Sequence, residues 1–198
     1  GITAASVFIA DRNLKSPEKI EKAVSDFAEV VIPFGRYEEV RVLDGEKEIA
    51  AVKEKDGFVK LIDFNENLLM DLKPFTNIGM VCGKNMTLKQ ENGWCAVNYE
   101  DVMEGGIIPD IAFDKVFVKE GRKYYVGEKY DEKTAKYSQG EVRDYDGKLI
   151  FKSPYDIELA LTDDIVIVYP DDEPGQVIEI KSGKTIFCST VSSGIRLN

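Results

Sequence analysis

The sequence predicts a mainly β protein: irregular, repeated antiparallel β-meanders of propeller-like, solenoid or sandwich type, with one amphipathic α-helix near the N-terminus. Three observations predict it. Beyond Pro33 the apolar residues fall in short segments rich in β-branched and aromatic types, which suit a pleated, half-buried surface. Between those segments stand Asp44-Gly45, Asp56-Gly57, Asn92-Gly93, Asp146-Gly147 and Ser182-Gly183. Such dipeptides supply the positive φ angles of tight hairpins. Finally, one pattern returns about every forty residues, as repeat architectures require.

In chain order, the apolar run 3–10 reads as a strand or a buried extended arm. Ser16-Pro17-Glu18 then reads as a helix start, with Ser as cap, Pro in the first helical position and Glu in the first turn. Ile20, Ala23, Val24, Phe27 and Val31 follow with the spacing of a single buried stripe, so a helix is expected over 17–30. Pro33 ends it. No further helix is expected. Strands are expected at 39–43, 49–52, 58–64, 94–99, 115–119, 123–126, 148–151, 165–169, 176–180 and 185–188. The organisation is then an arm and helix (1–31) packed on the sheet, a β-repeat domain (32–191) and a mobile tail (192–198).

The repeat is carried by a proline followed by an aromatic residue: Pro33/Tyr37, Pro74/Phe75, Pro109/Phe113 and Pro154/Tyr155. The aromatics stand 38, 38 and 42 residues apart. Val40, Ile78, Val116 and Ile157 follow them by two or three positions. A second set, Gly57, Gly93, Gly140 and Gly175, each opens an expected strand. Each unit is expected to hold a Gly-initiated strand, a hairpin and a second strand, closed by the Pro-aromatic anchor.

This pattern resembles the bacterial WG-repeat family. Its Gly-x-Val-x-x-Ile-Asp part is similar to Gly57-Phe58-Val59-Lys60-Leu61-Ile62-Asp63. Its Ile-Pro, spacer and Tyr-Asp-x-Ile/Val part is similar to 32–40 and 108–116, and 146–156 carries both turn and anchor. The Trp-Gly pair that names the family stands reversed, as Gly93-Trp94. The resemblance implies a β-repeat interaction module and brings no catalytic residue with it.

Charge and composition narrow the chemistry. The 198 residues carry 26 Lys plus Arg against 36 Asp plus Glu, a net charge of −10, and no histidine. Histidine-based triads and His-ligated zinc are thereby excluded. A pI near 4.7 argues against a phosphate backbone as partner, so no nucleic acid is expected. Cys82, Cys95 and Cys188 are far apart, with no Cys-x-x-Cys, and read as reduced core or strand residues. No apolar run is long enough to span a membrane. A cytoplasmic location is slightly favoured; the chain begins at Gly1 rather than Met and reads as trimmed, which leaves a secreted or cell-envelope location open if a leader was removed.

No catalytic, cofactor-binding or metal-binding residue is expected. Asp144-Tyr145-Asp146-Gly147 lacks the ligands of a calcium loop, because Val142 and Ser153 occupy two of its positions. Gly105-Gly106 is followed by Ile107-Ile108-Pro109, not by the helix start of a phosphate loop. Three groups are the interaction candidates: Tyr124, Tyr125, Tyr130 and Tyr137, interleaved with lysines; Trp94; and the acidic run Asp171, Asp172 and Glu173. Tyrosine offers large contact area at low entropic cost. The expected function is a non-enzymatic protein-interaction module of regulatory or immunity-like kind, with a protein as partner. Two rival readings are a carboxylate-dependent, metal-assisted hydrolase and a secreted or cell-envelope structural module. For the hydrolase, strand-inward acids such as Asp63 or Glu179 are the better candidates.

Overall fold

The computed structural model describes residues 16, 18, 30–159, 162–170 and 173–188. The expected N-terminal arm, nearly all of the expected helix and the tail lie outside them. The chain divides into two compact units, Gly1–Ile78 and Gly79–Asn198. The fold class is the expected one: short antiparallel strands in successive up-and-down meanders, propeller-like in strand order.

The first unit holds a four-stranded sheet in the order β1 (Glu39–Asp44), β2 (Ile49–Lys53), β3 (Val59–Asp63) and β4 (Leu68–Asp71). Its two central strands are apolar and buried, as a position covered on both faces demands. Tyr37, Ala50, Val52 and Ile62 form a core cluster, with Ile32 and Phe64 packed against it.

Three meanders follow. The second sheet runs β5 (Asn77–Cys82), β6 (Asn85–Gln90), β7 (Gly93–Asn98). The third runs β8 (Lys115–Phe117), β9 (Tyr124–Asp131), β10 (Lys136–Asp144), β11 (Leu149–Ser153). The fourth runs β12 (Asp156–Leu159), β13 (Ile165–Tyr169), β14 (Gln176–Glu179), β15 (Thr185–Cys188). Val126 and Val142 of the third sheet share one core with Ile157, Val166, Val168 and Ile178 of the fourth. Ala96 of the second shares another with Phe113, Val118 and Tyr125.

All five of the expected turn dipeptides lie in hairpin connections or at the strand ends that flank them; Gly57, Gly93, Gly147 and Gly183 have positive φ as expected, but in the first hairpin that conformation falls on Glu48, at φ 57°, and not on Gly45. Asp144-Tyr145-Asp146-Gly147 is one of them: the Gly147 N–H donates to the Asp144 carbonyl at 3.0 Å, and the Lys148 N–H to the Asp144 carboxylate at 2.8 Å. One expectation is corrected. A single-turn helix, α1 (Tyr99–Met103), follows β7. Asn98 caps it, its side-chain oxygen accepting from the Glu100 and Asp101 N–H groups, with those two acids in the first turn. One turn is too short to leave a 3.6-residue period in the sequence.

The structure explains the forty-residue spacing. Tyr37, Phe75, Phe113 and Tyr155 each stand one or two residues ahead of the first strand of a sheet, at β1, β5, β8 and β12. Gly57, Gly93, Gly140 and Gly175 each belong to the third strand of a sheet or its approach. The two series meet in a recurring backbone clasp. The carbonyl of Phe75 accepts from the Val59 N–H at 2.9 Å, that of Phe113 from Trp94 at 2.7 Å, and that of Tyr155 from Gly140 at 3.4 Å. Phe75, Phe113 and Tyr155 are thus fastened to the preceding third strand, at its start in the first two cases and at its middle in the third, before the chain enters the next meander. In the second sheet, which lacks a fourth strand, the clasp is a complete antiparallel bridge: the Phe113 N–H also donates to the Trp94 carbonyl at 2.9 Å. Glycine is required there, because a Cβ on Gly93 would lie 2.5 Å from the Phe113 carbonyl oxygen.

Candidate interaction surface

Strands β9 and β10 are the longest in the molecule's described residues, and their sheet neighbours cover only part of them. Strand β8 pairs with Val126–Glu128 alone, and β11 pairs only with Gly140, Glu141, Val142 and Arg143. Beyond those positions the hairpin continues as two strands, with Ser138 opposite Lys129, Tyr137 opposite Tyr130 and Lys136 opposite Asp131. A register shift between Ser138 and Glu141, with Gln139 at φ 61°, marks where the arm leaves the sheet. This polar stretch carries lysines and acids too evenly mixed for a buried strand, so the sequence alone leaves it unassigned.

Tyr130 and Tyr137 face each other on this arm. Their ring centroids are 5.3 Å apart at 67°, an edge-to-face pair, yet they remain 45% and 40% exposed. The Tyr130 N–H donates to the Asp114 carboxylate at 2.7 Å, which fixes the base of the arm. The Lys115 ammonium lies 4.9 Å from the centre of the Tyr137 ring and 4.4 Å from that of Phe117.

Beneath them lies Glu128, whose side chain is 2% exposed. Its Oε1 accepts from the Ile157 N–H of β12 at 3.4 Å, and its Oε2 has no hydrogen-bond partner. Lys115 Nζ is 3.9 Å from Oε2, beyond hydrogen-bond reach. Burial, reinforced by the neighbouring Asp156 carboxyl, pushes the Glu128 carboxyl up to about 7. Sequence reasoning does not single out Glu128, Lys115 or Phe117. The available signal was alternation: on β9, Tyr124, Val126, Glu128 and Tyr130 share one face, which places an acid in line with a core valine.

The other candidates are dispersed. Tyr125 is 1% exposed and belongs to the core, edge-on to Phe113 and tilted against Tyr145. Tyr124 is half-buried and packs against the core shared by the third and fourth sheets. Trp94 is half-buried over Gly79, where a Cβ would lie 2.6 Å from its ring, with the Lys89 ammonium 5.7 Å from its centre. Glu173 is exposed and accepts from the Gln176 side chain at 3.4 Å; Asp171 and Asp172 lie outside the described residues.

The acids considered for hydrolysis serve turns. Asp63 accepts from the N–H groups of Asn65 and Asn67 and from the Asn67 side chain, and these bonds hold its carboxyl below the usual range. Glu179 accepts from the Ser182 hydroxyl. Among the described residues no group of three or more Cys, Asp or Glu stands placed to hold a metal ion. Among them, too, no helix is long and apolar enough to cross a membrane.

No family model matches the chain, and no curated protein sequence does. Solved structures match it at the level of fold. A eukaryotic initiation factor is similar over 87% of this chain and 47% of its own, at TM-score 0.53 and 10% identity. Hsv2 of Kluyveromyces lactis is similar over 79% and 52%, at TM-score 0.46 and 13% identity. BamB of Moraxella catarrhalis is similar over 76% and 49%, at TM-score 0.44 and 11% identity. This chain spans about half the length of each.

Proposed function

We propose that this chain is a non-enzymatic protein-interaction module, and that the Tyr130–Tyr137 face of the β9–β10 arm is its contact surface. The observation that carries the reading is the arm itself: two tyrosines paired on a hairpin that outruns its sheet, half-exposed and held in one geometry. Surface pairs of this kind supply large, rigid contact area, and tyrosine is enriched at the energetic centres of interfaces. The repeated meander with its Pro-aromatic clasp supports a scaffold role of the WG-repeat-like kind, in which rigid sheets present a variable connection. The net charge of −10 supports a basic partner and a regulatory or immunity-like task, since complementary fields speed encounter and enforce specificity.

The test is comparative capture from source-cell lysate. Wild-type chain, Tyr130→Ala/Tyr137→Ala and the exposed control Tyr155→Ala are immobilised in parallel, and bound proteins are quantified by mass spectrometry. A protein retained by wild type and by the control, but lost from the double variant by tenfold or more, is the expected result. Equal retention on all three would remove the arm as the contact surface.

A further inference from the structure

The Glu128 carboxyl stands where two sheets meet: on β9 of the third sheet, bonded to the Ile157 N–H of β12 in the fourth. A buried carboxyl normally finds full hydrogen bonding or a close counter-ion. Here Oε2 has no hydrogen-bond partner and the nearby ammonium stays at 3.9 Å. Lys115 is 44% exposed, on a flexible stem, and its charge rests over the rings of Phe117 and Tyr137. The site therefore already shows what it accepts, a cationic side chain between two aromatic faces and a carboxyl, and it holds that occupant loosely. Asp156, exposed on β12, stands beside Glu128 and places a second carboxyl next to it.

We propose that Glu128 and Asp156, with the rings of Phe117 and Tyr137, form the receptor for one arginine side chain of a protein partner, which displaces Lys115. The proposal rests on the interaction reading above and names the chemistry of its partner. Arginine fits better than lysine for three physical reasons. Its planar fork of donors can reach two carboxyl oxygens at once. It is less strongly hydrated, so approaching the buried Glu128 carboxyl costs it less. It stacks on aromatic faces. Tyr137 belongs both to this receptor and to the exposed tyrosine pair, so the arginine and the rest of the partner would engage one continuous surface. A chain of net charge −10 favours the approach of such a partner.

The experiment uses the full chain and three blocked tripeptides, Gly-Arg-Gly, Gly-Lys-Gly and Gly-citrulline-Gly, titrated while the side-chain carboxyl carbons are followed by NMR. The arginine peptide is expected to move the Glu128 and Asp156 signals with an affinity at least threefold tighter than lysine, and citrulline to move neither. Lys115→Ala, which removes the internal competitor, should tighten the arginine peptide threefold or more. Asp156→Asn, at an exposed position that leaves the core intact, should weaken it about fivefold. Fixed Glu128 and Asp156 signals while exposed acids shift would overturn the receptor, as would an unchanged affinity in Lys115→Ala. Capture by the tyrosine pair is read separately. A partner still lost on Tyr130→Ala/Tyr137→Ala, with unmoved Glu128 and Asp156 signals, refutes the receptor alone. A responsive receptor with no captured partner supports the receptor and refutes the interaction reading.

Discussion

Gly93→Ala tests the clasp that links each meander to the next. Gly93 has φ 133°, and a Cβ there would approach the Phe113 carbonyl oxygen to 2.5 Å, its carbon to 3.1 Å and its nitrogen to 3.3 Å. These are backbone atoms, so no side-chain rotation relieves the contact. Two costs combine. An L-residue held at this φ costs about 1–3 kcal/mol. Moving Phe113 away breaks the 2.7 and 2.9 Å backbone bonds with Trp94, at about 1 kcal/mol each. Together they predict a loss of about 3–5 kcal/mol. The control is Gly121→Ala in the same unit. Gly121 has φ 68° but nothing within 4 Å of its added Cβ, so only about 1–2 kcal/mol of left-handed strain is expected. Urea unfolding followed by tryptophan fluorescence reports on the right region, because Trp94 is the chain's one tryptophan. If Gly93→Ala costs no more than Gly121→Ala, the clasp does not hold the second sheet to the third.

Three further outcomes are expected. The raised Glu128 carboxyl favours folding when protonated, so its contribution is complete below about pH 4.5 and is lost as pH rises through about 7. The loss is at most about 3 kcal/mol. Glu128→Gln should remove this fall from urea midpoints measured across pH 5–8, and parallel curves would contradict it. The Tyr145 hydroxyl is buried without a hydrogen-bond partner, so Tyr145→Phe should be neutral or stabilising by about 1 kcal/mol; a marked loss of thermal stability would argue against that environment. Burial pushes the Cys95 thiol up to about 12, while Cys188 is exposed. A thiol reagent at pH 8, followed by peptide mapping, should therefore label Cys188 first and Cys95 last.

The sequence showed most where local chemistry decides the structure. Strands 165–169 and 185–188 match the observed β13 and β15 end to end, because β-branched runs between turn residues admit little else. The anchor aromatics were visible as a period, although their partners, the third-strand glycines, become intelligible only once the clasp is seen. What escaped were strands whose identity is set by their neighbours. Strand β4 (Leu68–Asp71) is an exposed edge, β6 (Asn85–Gln90) mixes asparagine and lysine with its apolar residues, and β10 carries Lys, Ser, Gln and Glu. Their register comes from pairing, which propensity does not encode. The site divides in the same way. Tyr130 and Tyr137 are legible in the sequence as aromatics among lysines, and the fold brings them into contact. Tyr125, one residue from Tyr124, turns to the other face of β9 and into the core, as the two-residue alternation of a strand dictates. Glu128 and Asp156 lie 28 positions apart, so their meeting depends on the packing of two sheets.

The most direct test of the central claim places a photo-crosslinking phenylalanine at position 137, and separately at position 155, in the full chain in living source cells. The interaction reading predicts that irradiation joins position 137 to one protein partner, in a product that position 155 does not give. Crosslinks absent from position 137 but present at position 155 would contradict it and take the Tyr130–Tyr137 arm out of the contact surface.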